Sequence, residues 1–147
     1  MFTTKGRYAL RVMIDLAEQG KDTPVPLKEI AERQEISKKY LEIIMKELVS
    51  GGLVTGTSGK GGEYKLSRDP EDYAIGEILE QMEGALVPVA CLVCGAAPCK
   101  RESSCKTLPM WKAYSKLTHD FFYTQTLNDL CKENYEFPNF ENPLSAD

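Results

Sequence analysis

The sequence predicts a mainly α-helical protein with a small β-hairpin wing: a winged helix-turn-helix followed by a long C-terminal helix. Three observations predict it. Apolar residues recur at helical spacing through several stretches of the chain. Two of those stretches are separated by a turn too short to hold any other element. Two short β-prone runs then follow at once, around a glycine-rich turn.

The first helix is expected over residues 4–18, where Ala9, Val12, Met13 and Leu16 recur at i, i+3, i+4 and i+7 and Thr4 caps the start. Residues 20–26 read as a loop, with a glycine and two prolines. Pro26 sits at a first helical position and opens a short helix through Gln34, with Leu27, Ile30 and Ala31 inward. Glu35 and Ile36 form a brief turn, and Ser37 is a good N-cap for a third helix over 38–50. Its inward stripe is Leu41, Ile44, Met45 and Leu48, and Gly51 and Gly52 end it. Two short helices joined so tightly are the signature of a helix-turn-helix. Residues 53–57 and 63–67 read as strands around a turn at 58–62, and a hairpin directly after a recognition helix is a wing.

Asp69 and Pro70 close this first unit, residues 1–70. Residues 71–132 form a second unit. It starts with a short amphipathic helix over 75–82, with Ile75, Ile78, Leu79 and Met82 on one face. A loop over 84–106 holds four of the cysteines, and a longer helix runs over 108–123. Met110, Tyr114, Leu117 and Phe121 are spaced 4, 3 and 4 along that helix, a narrow seam suited to a partner helix, and Trp111 and Phe122 widen it. Residues 133–147 have two prolines and few core candidates and read as a loose tail.

Charge divides the same way. The 147 residues carry a net charge of −4, but residues 1–70 balance at +2 and residues 71–147 at −6. A mildly basic front half on an acidic back half is compatible with nucleic acid at one end. Hydrophobic residues at 42% and charged residues at 27% exclude a disordered chain. Asp15 and Glu18 interrupt any signal-peptide core, and the longest uncharged run, 84–99, is too short and too broken by Pro88, Gly95 and Pro98 to span a bilayer. A cytoplasmic protein is expected. The single histidine, His119, and the lack of any nucleophile–base or paired-carboxylate motif argue against an enzyme.

Two constellations carry chemistry. The third helix displays Lys38, Lys39, Tyr40 and Glu42 away from its core stripe. A helix entering the major groove of double-stranded DNA needs donors and acceptors near its N-terminus, with lysine for phosphate or guanine and glutamate for cytosine. In the wing, Lys60 is placed for the backbone or minor groove. The surrounding Ser58 to Gly62 stretch fails as a phosphate loop, because Val54 occupies the first glycine position and Gly61 follows the lysine.

The second constellation is Cys91-x2-Cys94-x4-Cys99-x5-Cys105, with Cys131 apart as a core cysteine. Thiolates on a flexible loop can converge on a soft metal or an iron–sulfur cluster. Zinc is the alternative, although it usually takes two C-x2-C-like pairs with a long spacer. A thiol switch is a further alternative. A thioredoxin-type motif lacks its βαβ context here.

Several segments together resemble a known family. They are Thr4 to Leu10, Ile36 to Glu42, Gly52-Leu53-Val54, the wing from Gly59 to Tyr64 and the downstream cysteines. These resemble the Rrf-two family, bacterial winged-helix transcriptional regulators of the IscR, NsrR and CymR types, over nearly the whole chain to about residue 132. The resemblance implies a homodimer joined through the long C-terminal helix at Met110, Tyr114, Leu117 and Phe121, binding a pseudo-palindromic operator. It places the recognition positions on Ser37, Lys39, Tyr40 and Glu42, and with Thr4, Lys38, Ser58 and Lys60 these are the expected DNA contacts. It also implies an iron–sulfur cluster, 2Fe–2S or 4Fe–4S, on Cys91, Cys99 and Cys105, sensing redox, nitric oxide or iron–sulfur status. The sequence departs from the family in several places. Leu108 stands where the IscR type has a ligand histidine, Arg7 where the NsrR type has an acidic ligand, Ser58 where the IscR type has arginine, and Glu63 replaces a glycine. Cys94, inside a longer first gap, is the expected replacement ligand. Some relatives respond by binding a metabolic enzyme, and the acidic back half with Tyr135, Phe137 and Phe140 would suit such a partner.

Overall fold

The computed structural model describes residues 2–56 and 62–138. The element order is α1 (Thr4–Gln19), β1 (Val25–Pro26), α2 (Leu27–Gln34), α3 (Lys38–Ser50), β2 (Val54–Gly56), β3 (Glu63–Leu66), α4 (Ile75–Glu83), α5 (Leu108–Thr124) and α6 (Leu127–Cys131). Short 3₁₀ turns lie at Pro70–Asp72, Ala90–Leu92 and Glu102–Ser104. The fold is the mainly helical winged helix-turn-helix expected, and its core sits around α1. Ala9, Val12, Met13 and Leu16 of α1 are fully buried. They share one cluster with Ile30, with the α3 stripe Leu41, Ile44, Met45 and Leu48, with Ile78 and Leu79 of α4, and with Leu127 of α6. α1, α3 and α4 each bury the stripe their periodicity marks, because that is the face whose removal from water stabilises most.

The cap of α1 is Thr3 instead of Thr4. A cap oxygen must reach a backbone N–H two or three residues on, and the Thr3 hydroxyl accepts from the Gly6 N–H at 3.3 Å. The Thr3 N–H and hydroxyl both donate to Glu83, at 2.8 and 2.6 Å, so the start of α1 is tied to the end of α4. The Thr4 hydroxyl accepts from Arg7.

Pro26 also differs from expectation. It is the residue before α2, extended at φ −62° and ψ 140°, and it ends β1. Val25 and Pro26 pair antiparallel with Tyr64 and Glu63, so the stretch read as pure loop contributes a third strand, in the order β1-β3-β2. The first wing strand starts one residue later, and the second ends one residue earlier, than the reading of 53–57 and 63–67, with Val54 opposite Leu66 and Gly56 opposite Tyr64. Thr57 and the turn through Gly61 lie outside the described residues.

The first residues of the expected loose tail are anchored. Tyr135 donates to Gln125, itself buried, at 2.6 Å, and the Phe137 ring stacks on Phe121 at 6.3 Å. The chain returns to α4 before this: the Ile75 N–H donates to the Gln125 carbonyl and the Leu127 N–H to the Tyr73 carbonyl. No helix among the described residues is long and apolar enough to cross a membrane.

Candidate nucleic-acid interface and cysteine loop

The Ser37 hydroxyl caps α3, accepting from the Tyr40 N–H at 3.2 Å. Ser37, Lys38, Lys39, Glu42, Ile43 and Lys46 are exposed on one side of α3, and Tyr40 is half-buried. The helix therefore presents cations and hydrogen-bonding groups together with an exposed, capped N-terminal turn. Thr4 lies exposed in the first turn of α1. Ser58 and Lys60 fall outside the described residues.

Groups that sequence reasoning missed hold α3 in place. Asp15 of α1 is 2% exposed and accepts from Arg33 Nε at 3.0 Å, Arg33 Nη2 at 2.8 Å and Gln34 Nε2 at 2.9 Å. Arg11, one turn earlier on α1, donates to the Gln34 side chain at 3.3 Å and to its carbonyl. The last turn of α2 is thus gripped from α1, directly before the turn at Glu35, which takes the left-handed conformation at φ 52°. The Arg11 guanidinium also lies 4.9 Å over the Tyr8 ring, which meets Tyr40 edge-on at 5.9 Å. At its other end, α3 is held by the Lys5–Glu47 ion pair at 2.8 Å and by Gln81 donating to the Glu47 carbonyl. The legible signal was Asp15 on α1 beside the apolar stripe, an acid that only a paired cation permits in a core.

The wing base is held by Tyr73. Its buried hydroxyl donates to the Leu53 carbonyl at 2.6 Å and accepts from the Ser67 and Arg68 N–H groups, both at 2.9 Å. Arg68 lies over the Tyr73 ring and pairs with Glu77 of α4. Further along α4, Glu80 accepts from the Tyr123 hydroxyl of α5. Burial first, and then this bond, pushes the Tyr123 hydroxyl up to about 12.

Between α4 and α5, Cys91, Cys94 and Cys99 are exposed and Cys105 is half-buried. A cavity of about 320 Å³ is lined by Cys91, Cys99, Cys105, Glu102, Leu108 and Lys112 among others. Cys94 does not line it. The Thr107 hydroxyl, 3.4 Å from Cys105 Sγ, and then backbone N–H groups at the start of α5 hold the Cys105 thiol below its usual range. In this conformation no group of three His, Cys, Asp or Glu side chains among the described residues is drawn close enough to hold a metal ion. The donors are of the right kind for a soft metal or cluster, and the loop must draw in for them to share one. Cys131 is half-buried, and burial pushes its thiol up. His119 is exposed and stacks on Tyr123 at 4.3 Å.

The seam of α5 lies open. Met110, Tyr114 and Leu117 are each 54% exposed, and no residue of this 17-residue helix is buried. Phe121 is half-buried against Phe122 and Phe137.

These features have counterparts in known proteins. The chain is 37% identical over 132 residues to the HTH-type transcriptional regulator IscR of Vibrio campbellii, covering 90% of this chain and 77% of that one. Its fold matches CymR, the global cysteine regulator of B. subtilis, with a TM-score of 0.69 and 34% identity over 89% of this chain and 95% of that one. It also matches T. potens IscR, with a TM-score of 0.69 and 32% identity over 95% and 93% of the two chains. Residues 2–133 match the Rrf2 family model, described as an iron-dependent transcriptional regulator. With the winged unit, the presented α3 face and these likenesses in agreement, the chain belongs to the Rrf2 family and is a DNA-binding transcriptional regulator, not an enzyme.

Proposed function

We propose that the protein is a cytoplasmic homodimer that binds a pseudo-palindromic operator and adjusts its DNA affinity through an iron–sulfur cluster on its cysteine loop, sensing redox, nitric oxide or iron–sulfur status. The observation that carries this reading is the gathering of Cys91, Cys99 and Cys105 around one cavity at the start of α5. These three thiols would hold the cluster, with Cys94 as the fourth ligand. When bound, the cluster supplies a redox-active centre. The chain's own residues do the rest. Cys105 lies three residues before Leu108, so drawing the thiols together fixes the first turn of α5. α5 presents Met110, Tyr114 and Leu117 to the partner subunit, with Phe121 at the end of the seam. On the DNA, Ser37, Lys38, Lys39, Tyr40 and Glu42 enter the major groove, Thr4 meets the backbone, and Ser58 and Lys60 approach the minor groove from the wing.

The test is anaerobic purification of the wild type, Cys94→Ser and Cys99→Ser, with iron and sulfide analysis, absorbance, electron paramagnetic resonance and operator binding. A coloured wild type that loses its chromophore in Cys99→Ser, with an altered spectrum in Cys94→Ser, supports the reading. A colourless, iron-free wild type whose DNA affinity ignores oxidants overturns it. Stoichiometric zinc, or a disulfide found by mass spectrometry, would then assign the cysteines to a structural metal or a thiol switch.

A further inference from the structure

We infer that Ile43 is a specificity-determining residue, reading the 5-methyl group of a thymine in the major groove. The inference rests on the reading of α3 as the recognition helix and adds an apolar contact to its polar ones. The apolar residues of the α3 stripe, Leu41, Ile44, Met45 and Leu48, are all fully buried. Ile43 is 47% exposed, on the opposite side and in the middle of the helix. A β-branched side chain there gives no helix-propensity advantage and leaves apolar surface in water.

Its surroundings indicate what covers it. Lys39 lies one turn before it, Lys46 three residues after it, and Glu42 adjacent, all exposed. A helical side chain leans toward the N-terminus, so Ile43 covers the surface over the turn of Lys39 and Tyr40, the turn that leads into the groove. An apolar side chain flanked by two lysines is complementary to a polyanion that carries an apolar group between its phosphates. In the major groove the thymine methyl is that group, because every other position on the base edges there is a hydrogen-bond donor, an acceptor or a ring C–H. Val49, also exposed on α3, sits in its last turn beside Gly51, away from the end that enters the groove.

The experiment selects duplexes from a randomised pool with the full-length wild type, Ile43→Ala and Ile43→Gln. Each thymine of the wild-type consensus is then replaced singly by deoxyuridine, which removes only the methyl group. We expect one thymine per half-site at which deoxyuridine weakens wild-type binding about fourfold, the equivalent of one methyl group returned to water. Ile43→Ala should bind the thymine and deoxyuridine duplexes equally and select that base pair weakly. The uracil comparison uses unaltered protein, so it does not depend on a variant folding. If deoxyuridine is neutral at every thymine, or if Ile43→Ala keeps the discrimination, the inference is overturned while DNA recognition stands. If the wild type enriches no sequence at all, both fall together.

Discussion

At the scale of single residues, two side chains remote from any DNA or cysteine contact are predicted to matter most. Asp15 accepts three hydrogen bonds in a buried position and ties α1 to the last turn of α2. Asp15→Ala leaves the Gln34 amide without its acceptor and the partly exposed Arg33 with only its longer pair to Glu29, at 3.5 Å. It should cost about 2 kcal/mol in urea unfolding, less than a fully buried pair because Arg33 can turn to water. Operator affinity should fall further than the loss of folded protein explains, since the turn before Ser37 loses its anchor. A neutral Asp15→Ala would show that the clamp is dispensable. Tyr123 gives a pH signature. Its hydroxyl is held up to about 12 in the native state, against an ordinary value of 10.0. The native form keeps its proton where the unfolded chain gives it up. The stabilisation is therefore fully present below about 10 and is lost as pH rises toward about 12. Wild type should lose stability relative to Tyr123→Phe across that window, and parallel urea midpoints for the two proteins would contradict it.

At the scale of elements, the contact between α4 and α5 depends on a glycine. A Cβ on Gly76 would lie 2.3 Å from the Tyr123 ring, and a ring held by Glu80 cannot step aside as a flexible chain end does. Gly76→Ala should destabilise by about 1–3 kcal/mol despite the better helix propensity of alanine. In a Tyr123→Ala background most of that cost should vanish, which a double-mutant cycle in thermal unfolding measures. The helices themselves were largely legible. Ser37 as cap, Gly51 and Gly52 as stop and the α3 stripe follow from local chemistry, and the structure places all of them as read. The strand β1 was not legible, because two residues carry no periodicity and become a strand only by meeting Tyr64 and Glu63, far along the chain. The Thr3 cap was missed for a similar reason. Thr3 and Thr4 are equivalent in sequence, and the helix start that selects Thr3 also brings it against Glu83, 80 residues away.

At the scale of the whole molecule, α5 is a helix with one side on α4 and an apolar seam left open. A seam of Met110, Tyr114 and Leu117 has the spacing of a helix pair, so the proposed homodimer covers it. Leu117→Glu places a charge on that seam and should sediment as a monomer at micromolar concentration. Its affinity for a complete operator should drop by about a hundredfold, because the second half-site no longer binds at high effective concentration. Affinity for an isolated half-site should be unchanged. A variant that still sediments as a dimer would move the interface elsewhere.

By itself, the sequence determined the helix-turn-helix, the exposed lysines of α3, the open seam of α5 and the position of the cysteine loop. Each depends on residues within a turn or two of one another, where periodicity, caps and glycines act directly. Only the tertiary structure decided how those parts are held. Asp15 meets Arg33 and Gln34, Tyr73 locks the wing base, Tyr123 reaches Glu80, and the cavity takes Cys91, Cys99 and Cys105 while leaving Cys94 outside. The physical reason is that such partners are chosen by which buried polar groups must be satisfied once the helices have docked. No local pattern carries that information.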